Sequence, residues 1–373
     1  MKRLRSTVRP DYGKKLEAIG LSFWQWDNYW KEDVCYRFNP SQIDQIEAAT
    51  EELHKLCLQA VNHAIEHDRL GELQIPKEFH EAIKASFIAN DFSLYGRFDL
   101  AYDGYHSPKM LEYNADTPTS ILESAVAQWY WLKETFNEDD QFNSLHERLV
   151  ARWDALPNEN LIHFASIADN EEDWVAVTYL METAIQAGKQ VVHITLDQIG
   201  WDAGRNIFVD LQGESINCLF KLYPWEWMMR ESFGLHISES KTRFIEPLWK
   251  SVLSCKGILP LLWELFPNHP NLLEAHFDKP NGLTAFAKKP LFSREGANIE
   301  LHSDGQLAHQ SNNGPYGEEG FVYQELFPLP CFDGMYPVIG SWIVGNEPAG
   351  MCLREDVSPI TTNMSYFVPH VFK

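Results

Sequence analysis

Between Tyr95 and Asn114 the chain alternates apolar and polar residues in two short runs. Arg97 and Asp99 stand two apart in the first run, and Glu112 and Asn114 two apart in the second. Successive side chains of a strand point to opposite faces, so each pair shares a face. Tyr102-Asp103-Gly104 and Ser107-Pro108 between the runs are turn chemistry, which predicts a hairpin. The period then changes. Ile121 to Trp131 reads as a helix that Thr117, Thr119 or Ser120 can cap. Upstream, Ile43, Ile46, Leu53, Cys57, Ala60, Val61 and Ala64 recur at helical spacing after a start signal at Pro40–Asp44, and Pro76–Ala89 predicts a second helix.

Past Pro157 the pattern becomes that of a β-α-β unit. Leu161 to Ala168 is a buried-strand run, Trp174 to Ala187 is amphipathic, Gly188 is a stop, and Val191 to Thr195 is a second strand. The acidic segment Asp169–Asp173 falls at the C-terminal edge of the first strand, where ligands bind in α/β sheets. Glu171 and Glu172 can hold an ammonium group there or complement the helix dipole. No GxGxxG motif accompanies the unit, so a dinucleotide fold is not supported. Phe286 to Ile299 reads as strand–loop–strand, and Phe321 to Leu326 as a further strand. These breaks divide the chain into expected parts at 1–157, 158–235 and 236–373.

At 373 residues, with 45% hydrophobic and 13% aromatic residues, the chain is an ordered globular protein of two or three packed lobes. A formal net charge of -22 argues against nucleic acid and anionic membranes as partners and favours cationic ligands such as amines. Six cysteines without a CxxC pair fit reduced thiols and a cytoplasmic location. The basic N-terminus lacks the apolar segment of a signal peptide, and no apolar run has membrane-spanning length.

Two clusters carry candidate chemistry. The hairpin gathers a guanidinium, two carboxylates and an amide oxygen, hard ligands that suit Mg²⁺ with phosphate and water as further ligands. The same alternation also describes the solvated face of an antiparallel sheet. The second cluster is the loop after Lys289, which brings Ser293, Arg294 and Gly296 to a turn whose N–H groups can cradle phosphate. An ordinary hairpin with a polar tip has the same pattern, and GxxxxGK[ST] is absent.

The segments RFD…LEYNADTPTS, FKLYPWEW, EPLWKSVLSCKGILPLLWELFPNHPNLL, KKPLFSREGANI, VYQEL and CLRED resemble the synthetase domain of the glutathionylspermidine synthase family, and most of all its stand-alone acid–amine ligase members. The resemblance implies an α+β, ATP-grasp fold of the permuted glutathione-synthetase type, with an inserted α/β substrate subdomain. It implies ATP and Mg²⁺, two ions, with Asp99, Glu112 and Asn114 as metal ligands and Arg97 on the transferring phosphoryl group. Lys256 and Lys289 match the ATP lysines, and Ser293 to Asn298 match the lid over the triphosphate. Gln324, Glu325 and Leu326 fall where adenine is held, and Arg354 matches a late active-site arginine. The activity implied is amide formation between a carboxylate and an amine through an acyl phosphate. A Mg²⁺-dependent ATPase or kinase, or a non-catalytic nucleotide binder, is the alternative. Thr117 and Thr119 stand where members that use glutathione carry hydroxyls; Leu222 replaces a threonine. No acidic residue lies in Thr361–Tyr366, where a polyamine contact is expected, so a glutathione- or peptide-like acid and a polyamine-like amine remain candidates. Bifunctional members add a cysteine amidase domain, for which this length leaves no room.

Overall fold

The computed structural model describes all 373 residues. The two alternating runs form the expected hairpin, Tyr95–Ala101 against Lys109–Asn114, with Arg97 opposite Asn114 and Asp99 opposite Glu112. The hairpin is the edge of a five-stranded antiparallel sheet completed by Tyr336–Val344, Glu347–Asp356 and Tyr366–Val368. Three of its five strands therefore come from the last forty residues of the chain. Phe98 and Tyr113, on the face away from Arg97 and Asp99, stack with ring centroids 3.8 Å apart. That face packs on the long helix Pro40–Glu66, where Thr50 Oγ1 lies 2.6 Å from Ser341 Oγ. The helix opens on a reciprocal capping box between Asn39 and Gln42, with Pro40 in its first turn.

The β-α-β pattern becomes a parallel four-stranded sheet in the order Arg243–Ile245, Cys218–Lys221, Leu161–Ser166, Gln190–Thr195. Helix Glu171–Gln186 connects its two sequence-predicted strands, with Asn170 as its N-cap. The fourth strand, Arg243–Ile245, lies past residue 235, where the sequence pattern ends this unit. Its pairing with Cys218–Lys221 is long-range and leaves no local signal. A second antiparallel sheet, in the order Ala275–Phe277, Phe321–Glu325, Phe286–Pro290, Glu300–Ser303, Gln306–Gln310, carries the glycine loop between two adjacent strands. Three strands, Lys2–Arg5, Val34–Phe38 and His370–Phe372, join the two ends of the chain in one small sheet.

Four tryptophans, Trp131, Trp153, Trp225 and Trp342, are fully buried core anchors. All six cysteines are free, and only Cys331 is exposed. No helix is long and apolar enough to cross a membrane. Residues 117–120 do not cap the helix after them: Ser120 has φ 66°, and the helical stretch runs through a π-turn at Glu123–Ala127 with no side-chain cap.

One buried ion pair ties the sheets together. The Glu246 carboxylate accepts from Ser93 Oγ and from the N–H groups of Leu94 and Tyr95, while Lys250 Nζ lies 2.7 Å from it and donates to Tyr95 O. Removing one partner of such a pair leaves an uncompensated buried charge. Glu246→Ala is expected to cost roughly 3–5 kcal/mol in urea unfolding. The paired change Glu246→Gln with Lys250→Met should cost less; an equal cost would show that the charge pairing is incidental.

His370 is wholly buried and neutral: Nδ1 faces Gln128 Oε1 at 2.9 Å, and Nε2 accepts from Phe142 N at 3.2 Å. Burial lowers its pKa from 6.5 to about 3, and burial likewise lowers that of His54 to about 4. Below pH 6.5 the unfolded chain takes up these protons and the folded chain does not, so stability falls as pH drops towards 4. The loss amounts to about 1.4 kcal/mol per pH unit for each histidine. His370→Gln should remove about one proton from the uptake on unfolding near pH 5, read from the pH dependence of urea unfolding. An unchanged uptake would mean that His370 is not held neutral.

Candidate functional site

The polar face of the hairpin forms one wall of a cavity of about 530 Å³, and the glycine-loop sheet forms the facing wall. Arg97 Nε donates to Asp99 Oδ1 at 3.0 Å, and its NH1 donates to Thr119 O at 2.8 Å. Gly340 makes this possible. A Cβ there would stand 2.8 Å from Arg97 Cδ and 2.6 Å from Cys352 Sγ. Asn114 Nδ2 donates to Asp99 Oδ2 at 3.2 Å and to Glu112 Oε1 at 3.3 Å, so the three oxygen-bearing side chains converge on one point.

Lys256 closes the cluster from below. Its Nζ sits 2.9 Å from Glu112 Oε2 and donates to Ser293 O at 2.5 Å. Lys256 and Ser293 line a small adjoining recess rather than the main cavity. Ser293 Oγ is buried there without a hydrogen-bond partner. Lys289 Nζ donates to Leu111 O at 2.9 Å and to Gln324 Oε1 at 2.7 Å, and Gln324 Nε2 donates to Met110 O. The Gln324 amide therefore aligns Lys289 instead of standing free for a ligand. Glu325 and Leu326 line the cavity, with their N–H groups donated to Glu274 O and Ala285 O.

Electrostatics follow from burial among opposed charges. Burial raises the Asp99 carboxyl, opposed by Arg97 and reinforced by Glu112. Burial alone would raise Glu112 too, but Lys256 and Lys289 outweigh it and bring its pKa down to about 2. Burial brings Lys289 down to about 8, despite the attraction of Glu112. Nowhere in the chain do three or more His, Cys, Asp or Glu side chains gather with metal-ligand spacing. The hairpin instead offers two carboxylates beside cationic lysines, with the Asn114 amide between them. That set fits a hard cation that takes its remaining ligands from phosphate and water.

The glycine loop lies across the cavity. Arg294 pairs with Glu226 at 2.6 Å and donates to Thr117 Oγ1 at 2.8 Å. Gly296 has φ 71° and packs so that a Cβ would meet Thr361 O at 2.3 Å. Asn298 faces away from the cavity: its amide donates to Tyr316 O and accepts from Gly314 N, bracing the loop. Arg354 lines the cavity, its guanidinium held by the carbonyls of Thr362, Asn363 and Ser365. The neighbouring carboxylates do not touch it: Glu355 pairs with Arg3, and Asp356 accepts from Ser365 Oγ.

Of the two roles that the sequence left open for Glu171 and Glu172, an ammonium contact or the helix dipole, their place in the first turn of helix Glu171–Gln186 suits the second. Neither Glu171 nor Glu172 lines the cavity; Asp173 and the cap residue Asn170 do. Three successive acids at a helix start project about 100° apart, and the phase set by Asn170 turns the third one inward. Burial, with help from Glu172, pushes Asp173 up to about 7. Thr117, Thr119 and Leu222 all line the cavity. Glu226, Asp116 and Lys221 were missed. Asp116 binds Lys221 and accepts from Trp225 N at 2.8 Å, joining the hairpin exit to the parallel sheet.

Gly296→Ala combines a left-handed backbone, costing about 1–2 kcal/mol for an L-residue, with a backbone clash. It is expected to loosen the loop and to speed tryptic cleavage after Arg294 about fivefold or more. A cleavage rate equal to wild type would show that the loop is not held by this contact.

Residues 3–373 match the family described as glutathionylspermidine synthase preATP-grasp. The chain is 41% identical over 392 residues to the "Putative acid–amine ligase" of Haemophilus influenzae, covering 100% of both. It is 30% identical over 365 residues to the bifunctional glutathionylspermidine synthetase/amidase of Escherichia coli, spanning 90% of this chain and 58% of that protein. Against the trypanothione synthetase of Crithidia fasciculata it is 28% identical, spanning 83% of this chain and 52% of that one. The chain thus spans little more than half the length of these last two. A solved glutathione synthetase-like effector from Globodera pallida superposes with a TM-score of 0.58 at 10% identity, covering 98% and 99% of the two chains, a likeness of fold. The architecture is a mixed α+β fold of the glutathione synthetase-like kind, and the chain belongs to the glutathionylspermidine synthase preATP-grasp family.

Proposed function

We propose that this protein is an ATP- and Mg²⁺-dependent carboxylate–amine ligase, built on a permuted ATP-grasp fold, that forms an amide through an acyl phosphate. The observation that carries the reading is the convergence of Asp99, Glu112 and Asn114 with Arg97 and Lys289 at one wall of a single cavity, with Lys256 paired to Glu112 from the adjoining recess. Asp99, Glu112 and Asn114 would hold Mg²⁺. Bound there, Mg²⁺ supplies charge neutralisation for the triphosphate.

The chain's own residues account for the remaining work. Lys289, aligned by Gln324, and Lys256 pair with phosphate oxygens. Glu325 and Leu326 border the adenine end. Arg97, pinned by Asp99 and Thr119 O, offers its remaining N–H groups to the γ-phosphoryl as charge spreads over it. The substrate carboxylate oxygen attacks that phosphorus and ADP leaves. The amine then attacks the acyl carbon and inorganic phosphate departs. Arg294 and Gly296 cover the site and keep water from the acyl phosphate, and Ser293 carries the loop into the adjoining recess. Thr117, Thr119 and Arg354 border the acid, and Asp173 stands where an ammonium group approaches. A peptide-like acid such as glutathione and a polyamine-like amine are the substrate classes these groups favour.

The test is incubation with ATP, Mg²⁺ and a panel of acids and amines, following phosphate release and product mass. A mass gain that requires both acid and amine supports the ligase. A phosphorylated acceptor with no amide from any pairing would replace it with a kinase. Chelation by EDTA should abolish turnover. Glu112→Ala should lower it at least a hundredfold, roughly the loss of one strong charge-stabilising contact, with the far-ultraviolet circular dichroism unchanged. Full turnover in that variant would remove Glu112 from the metal set.

A further inference from the structure

Arg294 ties the glycine loop to the body of the protein. Arg294 Nε and NH2 both donate to Oε1 of Glu226, at 2.9 and 2.6 Å, and NH1 donates to Thr117 Oγ1 at 2.8 Å. Three of the five N–H donors of a guanidinium are thereby committed and its plane is fixed. The other two have no protein partner, and Arg294 lines the cavity.

Both anchors hang from one buried carboxylate. Glu226 lies in the short helix Trp225–Met228, whose first N–H donates to Asp116 Oδ2; Asp116 in turn binds Lys221, and Thr117 follows it in the chain. Glu226 is itself buried, at 8% exposure, and Arg230 lies over the ring of Phe292 beside the loop. The frame is rigid and does not involve Asp99, Glu112 or Asn114.

We propose that Glu226 is the positioning residue for Arg294: it sets the guanidinium so that its two uncommitted N–H groups meet an anionic group of the ligand in the cavity. This rests on the nucleotide reading above, under which that group is a phosphate of ATP. An arginine released from Glu226 keeps its charge but loses its direction, and a bidentate contact depends on direction.

The experiment compares the wild type with Glu226→Gln, Arg294→Ala and the double variant. Calorimetry measures binding of the Mg²⁺ complex of a non-hydrolysable ATP analogue, and separately of adenosine. Glu226→Gln is expected to weaken the triphosphate about tenfold, the scale of one oriented charged contact, and to leave adenosine within about twofold. The double variant should bind the triphosphate no more weakly than Arg294→Ala alone, since Glu226 acts through that side chain. Equal losses for both ligands would assign Glu226 a general structural role, and additive losses in the double variant would show that it acts apart from Arg294; either result overturns the proposal. Should Glu226→Gln fail to fold, Thr117→Val removes the other anchor without changing charge, and a loss confined to the triphosphate supports the proposal. A wild-type protein that binds neither ligand overturns the nucleotide reading and this inference with it. Wild-type binding that survives Arg294→Ala undiminished overturns this inference alone.

Discussion

The arrangement of the whole cavity depends on the buried carboxylate of Glu246. That residue follows directly on the last strand of the parallel sheet, Arg243–Ile245, and its oxygens take the N–H groups that open the strand Tyr95–Ala101. Lys250, one helical turn on, returns a hydrogen bond to Tyr95 O. Six residues further along comes Lys256, which meets Glu112. A single buried pair thus fixes the parallel sheet, the hairpin and the lysine beside it in one frame. A carboxylate that has given up its water needs every one of those donors, so the geometry has little freedom to drift.

Much of the site was legible because it is local. Arg97 with Asp99, and Glu112 with Asn114, sit on one face because strands alternate, and the turn residues between them set the hairpin. The β-α-β unit was legible through its run lengths and Gly188. What stayed hidden is the pairing between residues far apart in the chain. Glu246 meets Leu94, Asp116 meets Lys221 and Glu226 meets Arg294 across separations that leave no periodic trace. The choice of Asp173 over Glu171 and Glu172 was hidden for a different reason. All three share a helix start, and only the phase in which that helix meets the cavity decides which one faces inward.

The cavity also shows how one protein holds many charges out of water. Each charge on its wall is met by an opposite one beside or behind it: Arg97 by Asp99, Glu112 by Lys256, Arg294 by Glu226. Each pair satisfies itself within the fold. Each also leaves one partner with donors or acceptors to spare, so a polyanion with its counter-cation can enter without stranding a buried charge. The strongly negative net charge of the chain is thus compatible with an anionic ligand, because the local charge of this pocket is balanced.

The sheet that bears the hairpin takes its central strand from Tyr336–Val344. On the ribosome, Tyr95–Ala101 and Lys109–Asn114 emerge long before that strand exists. At ordinary elongation rates the wait is roughly ten to fifty seconds. Throughout it, one edge of Tyr95–Ala101 presents unpaired N–H and C=O groups, the kind of edge that recruits other chains. The architecture that unites the two ends of the polypeptide around one pocket therefore leaves this edge open until its last forty residues arrive.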